Sequence, residues 1–331
     1  MVGLREDHIM WLKLISRRIL QAVPLVLGVI VLNFVLIQMV PGTLLDVMTA
    51  EQQVTDPALI ERLRTTYGLD RSPFEQLVRY IGSVLSLDLG YSYRHNTPVL
   101  DVLLSHLPAT LLLMVASIFV AVVVGMSAGI VSAMKVNTWW DTIVSIFAVL
   151  CFAAPSFWLG LMLIIVFAVH LGWFPVGGMI TIGLDQGPFG TVVDILHHLA
   201  LPALTLGLFY SAVYARVMRA SMLEVSRLDY VRTAYAKGLT HKSVVLRHIL
   251  RNALLPVITI LGLQLGTVLG GSIVVEAVFS WPGIGAVLFD SVMSRNYPVV
   301  LGLLVLSSVV VILANIVVDL VYSQIDPRLK V

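Results

Sequence analysis

Charge is scarce in this chain of 331 residues. Only 12% of the residues are charged and 58% are hydrophobic, and the mean hydropathy is +0.95. This composition excludes a soluble globular protein. The sequence also has a single cysteine, Cys151, which excludes a disulfide framework and a thiolate metal cluster.

The sequence lacks a phosphate-binding loop of the Gly-Lys-Ser/Thr type. Such a loop needs a glycine directly before its lysine, and none of the five lysines (13, 135, 237, 242 and 330) follows a glycine. The chain therefore does not bind ATP by that route.

Polar residues are few within the apolar runs. The candidates are Asn33, Gln38, Gln264, Asn315 and Asp319, with Glu276 near the end of a run. An ion-coupled carrier usually needs carboxylates and histidines through the membrane, and often has inverted repeats with broken helices. The sequence indicates neither, so a secondary carrier is the weaker alternative.

The apolar runs themselves are long enough to cross a bilayer, which takes about 20 residues per helix. Their length and lack of alternation predict helices rather than strands. The first run is too long for the apolar core of a signal peptide, so we expect a retained helix. We predict six spans, at 18–40, 107–134, 142–170, 199–221, 253–278 and 298–322.

Lysine and arginine set the orientation, because they favour the cytoplasmic side. With the N-terminus inside, 15 of the 21 basic residues are cytoplasmic. We therefore predict cytoplasmic termini (1–17 and 323–331), an extracytoplasmic segment of short amphipathic helices at 41–106, and a permease core at 107–322 that carries a cytoplasmic loop at 222–252. The net charge of +2 is the sum of a basic cytoplasmic face and a less basic outer face. It gives no indication of nucleic-acid binding, and we expect lipid around the chain.

The loop at 222–252 has helical spacing. Its apolar residues repeat every three or four positions and predict one stripe on a helix: Met222, Val225, Leu228, Val231 and Tyr235. Gly238 stands where a helix would stop, and Thr240 is a candidate N-cap for a second short helix. The alternative is a solvated basic loop that merely follows the positive-inside rule.

Two further patterns suggest chemistry but favour simpler readings. Gly125-Met126-Ser127-Ala128-Gly129 fits a hydrolase nucleophile elbow, yet it lies in an apolar helix, where small residues favour close helix packing. Gly262, Gly266 and Gly270 predict similar packing. His197 and His198, near Asp185 and Asp194, could bind a metal, but adjacent histidines point in different directions on a helix, so we predict an interfacial cap and no metal site.

The segment Arg232-Thr233-Ala234-Tyr235-Ala236-Lys237-Gly238 resembles the cytoplasmic Glu-Ala-Ala-x3-Gly signature of ABC importer permeases. Arg232 replaces the signature glutamate, and Gly238 lies further from Leu255-Pro256 than the general signature allows. Both departures disfavour sugar and amino-acid permeases. With both departures, the sequence still resembles the peptide branch, which comprises the B-type subunits of the dipeptide/oligopeptide/nickel permease family. Further resemblance lies at 67–70, 87–90, 107–111, 154–160, 172–177, 276–285 and 326–328.

This resemblance implies an all-α type I importer permease of the bacterial inner membrane that catalyses no reaction itself. It implies a second homologous permease subunit, two ATPases that bind ATP and Mg²⁺, and an extracytoplasmic binding protein. The loop at 229–242 would couple the chain to an ATPase. The coupling residues would be Asp229, Arg232, Thr233, Ala234, Tyr235, Lys237 and Gly238. Peptides are the expected substrate, with nickel or another small solute as the alternative.

Overall fold

The computed structural model describes residues 2–39, 70–92, 94–183 and 187–325. Helices dominate this part of the chain, and the only regular strand pairing in it is a two-residue antiparallel ladder, β1 with β2. The elements are α1 (Val2–Met39), α2 (Pro73–Leu85), β1 (Tyr91–Ser92), β2 (Thr97–Pro98), α3 (Val99–Met134), α4 (Trp139–Ala153), α5 (Ser156–Leu163), a π-helical stretch (Ile164–His170), α6 (Gly187–Ser226), α7 (Asp229–Ala236), α8 (His241–Val244), a second π-helical stretch (Val245–Ile249), α9 (Leu250–Val278), α10 (Ile284–Met293) and α11 (Tyr297–Ile325).

Among the described residues, four helices are long and apolar enough to cross a membrane. They are Val99–Met134, Gly187–Ser226, His241–Gly262 and Tyr297–Val317, and a bent pair of helices makes a fifth if it counts as one span. The first predicted span falls on α1, whose apolar part, Leu20–Leu36, is shorter than the other four. The second and fourth spans begin well before their predicted starts, at Val99 and Gly187.

The third span is not the single helix that we predicted at 142–170. It bends by 108° between Trp139–Ala153 and Ser156–His170. Pro155 explains the break, because a proline disfavours the helical conformation of the residue before it, and Ala154 is extended, with φ −74° and ψ 132°. The expectation that the chain has no broken helix was therefore wrong.

Two compact units make up the chain. In the unit formed by 1–107 and 287–316, α1 packs on α2, and Asn33 donates from Nδ2 to the carbonyl of Leu301 over 3.3 Å. The amphipathic helix expected in segment 41–106 is present as α2, and Ser72 Oγ caps it by accepting the N–H of Glu75. The β1–β2 ladder was not predicted, and the part of this segment before residue 70 lies outside the described residues.

The unit formed by 108–286 and 317–331 holds the long helix α6 against α4, α5 and α9. Two glycines let α3 approach α6 closely. A Cβ added to Gly125 would lie 2.5 Å from the carbonyl oxygen of Ser211, and one added to Gly129 would lie 2.6 Å from that of Ala215. The Gly-x-Ser-x-Gly pattern is therefore helix packing, and Ser127 lies on the exposed face of α3.

The glycine pattern of the fifth span gives a different result. Among the described residues, no atom beyond the adjacent residues and backbone of its own helix lies within 4 Å of a Cβ added to Gly270, and the surroundings of Gly266 lie outside the described residues. Packing of this glycine stripe against a second permease stays a prediction.

The turn after α9 encloses a buried carboxylate. Glu276 is fully buried and accepts the N–H groups of Gly285 (2.7 Å) and Ala286 (3.1 Å) at the start of α10, and the hydroxyl of Thr110 (2.8 Å). Trp281 donates its indole N–H to the carbonyl of Ala109 over 2.9 Å. Glu276 thus caps a helix and anchors a turn, which gives a structural reason for its place in an apolar run.

Candidate coupling site

The predicted coupling segment forms the short helix α7, between the long helices α6 and α9. Leu228 precedes it in an extended conformation, and Asp229 occupies its first turn. A carboxylate in this position stabilises the helix by its interaction with the positive end of the helix dipole. Val231 and Ala234 are only 1% and 5% exposed. Since they are three residues apart, they form one inward face, and α7 packs with this face of the helix toward α8 and the π-helical stretch Val245–Ile249.

Gly238 stops the helix as predicted, at the position directly after the C-cap residue Lys237. Gly238 has φ +77°, donates its N–H to the carbonyl of Tyr235 over 2.9 Å, and is followed by Leu239, whose N–H reaches the carbonyl of Ala234 over 3.4 Å. These two bonds define a Schellman motif, which needs a left-handed residue at this position. Glycine is the residue that adopts this conformation at little cost.

The outer face of α7 is open to a partner. Arg232, Thr233, Tyr235 and Lys237 are all exposed. Arg232 lies 3.8 Å from Asp229, but both side chains are largely solvated, at 76% and 98% exposure. Such a surface pair holds its members weakly, by about 0–1 kcal/mol, so both charges remain available for contacts outside the chain.

Ala234 faces the other way. The resemblance implied that Ala234 is one of the coupling residues, but the structure buries its side chain against this chain. Its size therefore matters for how closely α7 lies on its own protein.

Side-chain contacts that the sequence did not indicate hold α7 in place. Tyr230 donates its hydroxyl to the carbonyl of His248 over 3.1 Å and accepts the amide of Asn252 over 2.7 Å. Tyr235 hydrogen bonds through its hydroxyl to Nδ1 of His241 over 2.8 Å, with the two rings stacked at 6.1 Å. These contacts tie both ends of α7 to the start of the fifth span, and the sequence offers no local signal for them.

Two details of the predicted loop differ from the structure. Met222 and Val225 belong to α6, and Leu228 and Tyr235 are exposed, so the five-residue stripe is not one buried face. Thr240 does precede α8, but its side chain makes no capping bond. The second short helix runs on through the π-helical stretch into α9, so the fifth span begins at His241 rather than at residue 253.

His197 and His198, the pair considered above as candidate metal ligands, make helix and loop contacts. His197 Nε2 lies 2.7 Å from the carbonyl of Trp173, and His198 Nδ1 lies 2.9 Å from the carbonyl of Asp194. Asp194 in turn accepts the N–H and hydroxyl of Thr181. These bonds hold the loop before α6 against that helix, and Asp185 lies outside the described residues.

The sequence matches two family models that together cover most of its length. Residues 121–331 match the model described as the inner membrane component of binding-protein-dependent transport systems, and residues 11–114 match the N-terminal model of the same membrane components. The chain belongs to this family. It is therefore a transport subunit rather than an enzyme, and one component of a larger transporter.

Relatives of the permease match along nearly the whole chain. The oligopeptide transport permease AppB of Bacillus subtilis is 39% identical, with 96% of this chain and 98% of AppB covered. The dipeptide transport permease DppB of Escherichia coli K12 is 38% identical over 96% and 99% of the two chains. The glutathione transport permease GsiC of an Escherichia coli O6:H1 strain is 42% identical over 96% and 99%.

Solved structures support the same fold at greater distance. An inward-facing methionine ABC transporter, MetNI, aligns with a TM-score of 0.55 and 20% identity, covering 68% of this permease and 96% of that chain. A second crystal form of MetNI gives a TM-score of 0.52. The permease is an all-α polytopic membrane protein with the type I importer fold.

Proposed function

We propose that this permease forms part of the pathway of an ATP-driven importer of peptides. The observation that carries the proposal is identity of 38–42% along 96% of the chain with permeases named for oligopeptides, dipeptides and glutathione. In such an importer, the chain would lie in the bacterial inner membrane beside a second, homologous permease. An extracytoplasmic binding protein would deliver the peptide, and two cytoplasmic ATPases would bind ATP and Mg²⁺.

The helix α7 is the surface through which the ATPases would act. It is short, exposed on one face, and fixed to the chain by Tyr230 and Tyr235. Arg232 in α7 and Lys237 directly after it would meet acidic groups of an ATPase, and Gly238 would keep α7 at a fixed angle to the fifth span. A displacement of α7 would then pass to α9 and α6, and alternating access would follow.

The substrate is tested by purifying the assembled transporter and measuring uptake in proteoliposomes with the binding protein present. We expect ATP-dependent uptake of a labelled dipeptide or tripeptide, blocked by excess unlabelled peptide but not by Ni²⁺. Uptake of Ni²⁺ without peptide uptake would assign the chain to nickel import instead. Uptake that follows an ion gradient without ATPases would indicate a secondary carrier.

The coupling role is tested by Gly238→Pro. Proline fixes φ near −65° and has no N–H, so it cannot adopt the +77° of Gly238 or donate to Tyr235. We expect uptake to be lost while the chain still inserts in the membrane. Gly183→Pro is the matched control, because Gly183 also has a positive φ, +87°, and open space beside it, but lies far from α7 in sequence. Normal uptake by the Gly238 variant would reject the coupling assignment.

A further inference from the structure

A second polar cluster, buried in the same unit as α7, has no role in the function proposed above. Its centre is Asp141, in the first turn of α4, whose side chain is only 8% exposed. The carboxylate accepts the hydroxyl of Ser132, the N–H of Asn137 (3.1 Å), and two bonds from Arg219. The hydrogen bonds of this carboxylate therefore reach three different segments of the chain.

The arginine binds in a fixed orientation. Arg219 Nε lies 2.9 Å from Oδ1 of Asp141 and Nη2 lies 2.8 Å from Oδ2, which is the two-pronged geometry that a guanidinium gives and an ammonium does not. Arg219 Nε also reaches the Ser132 hydroxyl at 2.9 Å. The cluster thus joins the last turn of α3, the first turn of α4 and the late part of α6.

Two of these helices, α3 and α6, are also in close backbone contact just before the cluster. Gly125, Gly129 and Ser132 follow one another at helical spacing on α3, and they meet the Ser211, Ala215 and Arg219 positions of α6. Because the glycines leave no side chain between the backbones, α3 and α6 have little freedom to slide. The ion pair between Asp141 and Arg219 lies at the end of this contact between α3 and α6, and it attaches α4 to α6.

The cluster is also near the coupling helix along the chain. Arg219 lies seven residues before Ser226, the end of α6, which is about two helical turns. Only Arg227 and Leu228 separate α6 from α7. A movement of α7 therefore acts on α6 within two turns of Arg219.

Stability alone is a poor explanation for such a cluster. A buried ion pair is often no more stabilising than apolar residues of the same size, because both charges lose their hydration. What the bidentate geometry supplies is a defined mutual orientation of three helices.

We propose that Asp141, Arg219 and Ser132 are positioning residues of the transport cycle: they clamp α3 and α4 to α6, so that a displacement of α7 moves these helices together. The proposal rests on the coupling role proposed for α7. It predicts that breaking the clamp separates ATP hydrolysis from uptake without preventing assembly.

The test uses the complete transporter in proteoliposomes and measures peptide taken up per ATP hydrolysed, normalised to assembled complex. For Asp141→Asn and for Arg219→Gln we expect this ratio to fall roughly tenfold, in the range of mutations that alter coupling between sites, while ATP hydrolysis continues. The double variant should lose no more than either single variant, because each breaks the same clamp. Additive losses, or an unchanged ratio, would overturn the proposal.

Arg216→Gln is the matched control. Arg216 is one turn earlier on α6, is exposed, and lies beside the ring of Phe152, 5.9 Å from its centre, so the same change there should leave the ratio as in the wild type. If the neutral variants do not assemble, Arg219→Lys and Ser132→Ala decide, since each keeps the charges but removes part of the geometry. A reduced ratio in them supports the clamp, and a normal ratio rejects it.

This outcome is separate from that of Gly238→Pro. A normal ratio in the clamp variants together with lost uptake in the glycine variant would leave α7 as the coupling helix and reject the clamp alone. Lost coupling in the clamp variants with normal uptake in the glycine variant would reject α7 as the element that moves the clamp.

Discussion

Single buried side chains fix the turn that follows α9. Glu276 accepts two N–H groups at the start of α10, and Thr110 both donates to that carboxylate and accepts the N–H of Ile284 over 2.8 Å. Gly283 lies directly against Glu276 and Thr110, so an added Cβ would collide with the atoms of both side chains. The turn therefore requires glycine at position 283.

We expect Gly283→Ala to destabilise the permease. The methyl group would displace the carboxylate from its donors, and buried polar groups left without partners cost about 1–3 kcal/mol each. The measurement is the thermal unfolding temperature of the detergent-purified chain. Gly82→Ala provides the control, because in the described part of the chain only the adjacent residues and backbone of α2 itself come within 4 Å of a Cβ added to Gly82. Equal unfolding temperatures for both variants would contradict this account of the turn.

Ala234 gives a second prediction for a single side chain. Because it is 5% exposed on the inner face of α7, Ala234→Leu should push α7 away from the chain and reduce uptake strongly. Ala236 is exposed on the same helix, so Ala236→Leu adds the same volume without that displacement. Uptake assays on both variants separate packing of α7 from contact with a partner. A greater loss in the Ala236 variant would indicate that the partner contact dominates.

Some residue-level features follow from local sequence and others do not. Gly238 was predicted to end its helix because a left-handed residue after a helix is a local requirement. The clamp was not predicted, since Asp141 and Arg219 are 78 positions apart and each reads as an ordinary charge near the end of a span. The anchoring role of Tyr230 depends on His248 and Asn252, which only the folded chain brings near.

At the level of elements, α3 and α6 depend on glycine for their close approach. We expect Gly129→Val to disrupt the folded chain, because the added Cβ alone would lie 2.7 Å from Cβ of Met218. Overpacking of this kind typically costs about 1–3 kcal/mol. Gly28→Val is the matched control within a helix, since no described atom beyond the adjacent residues and backbone of its own helix lies within 4 Å of a Cβ added there. The yield of monodisperse protein and its unfolding temperature are the measurements, and equal values would contradict close packing of α3 on α6.

The helices show why hydropathy predicts elements better than their ends. Apolar length located α3, α6, α9 and α11, but α6 extends to Gly187 and Ser226 because helical hydrogen bonding continues beyond the apolar run. The break at Pro155 was missed since the residues on both sides are apolar. Pro24, Pro108, Pro202 and Pro256 lie inside helices without ending them, so proline alone did not identify the break.

For the molecule as a whole, the number of crossings depends on two elements. The bent pair Trp139–Ala153 and Ser156–His170 is either one broken span or a re-entrant loop, and the apolar part of α1 is short. If both cross, the chain crosses the membrane six times and both termini are cytoplasmic, which agrees with the excess of lysine and arginine on that side. If the pair is re-entrant, residue 182 lies on the same side as residue 135.

Single cysteines, introduced into a Cys151→Ala background, distinguish these arrangements by labelling with a membrane-impermeant maleimide. We expect Lys135→Cys and Lys237→Cys to react only in inside-out vesicles, and Arg94→Cys and Ile182→Cys only in intact spheroplasts; Ile182 is 95% exposed, so access is not the limit. Labelling of positions 135 and 182 only in inside-out vesicles would make the bent pair re-entrant, and the next span would then place α7 outside, where no ATPase could reach it. The orientation of the whole chain and the coupling role of α7 therefore depend on the same four reactions.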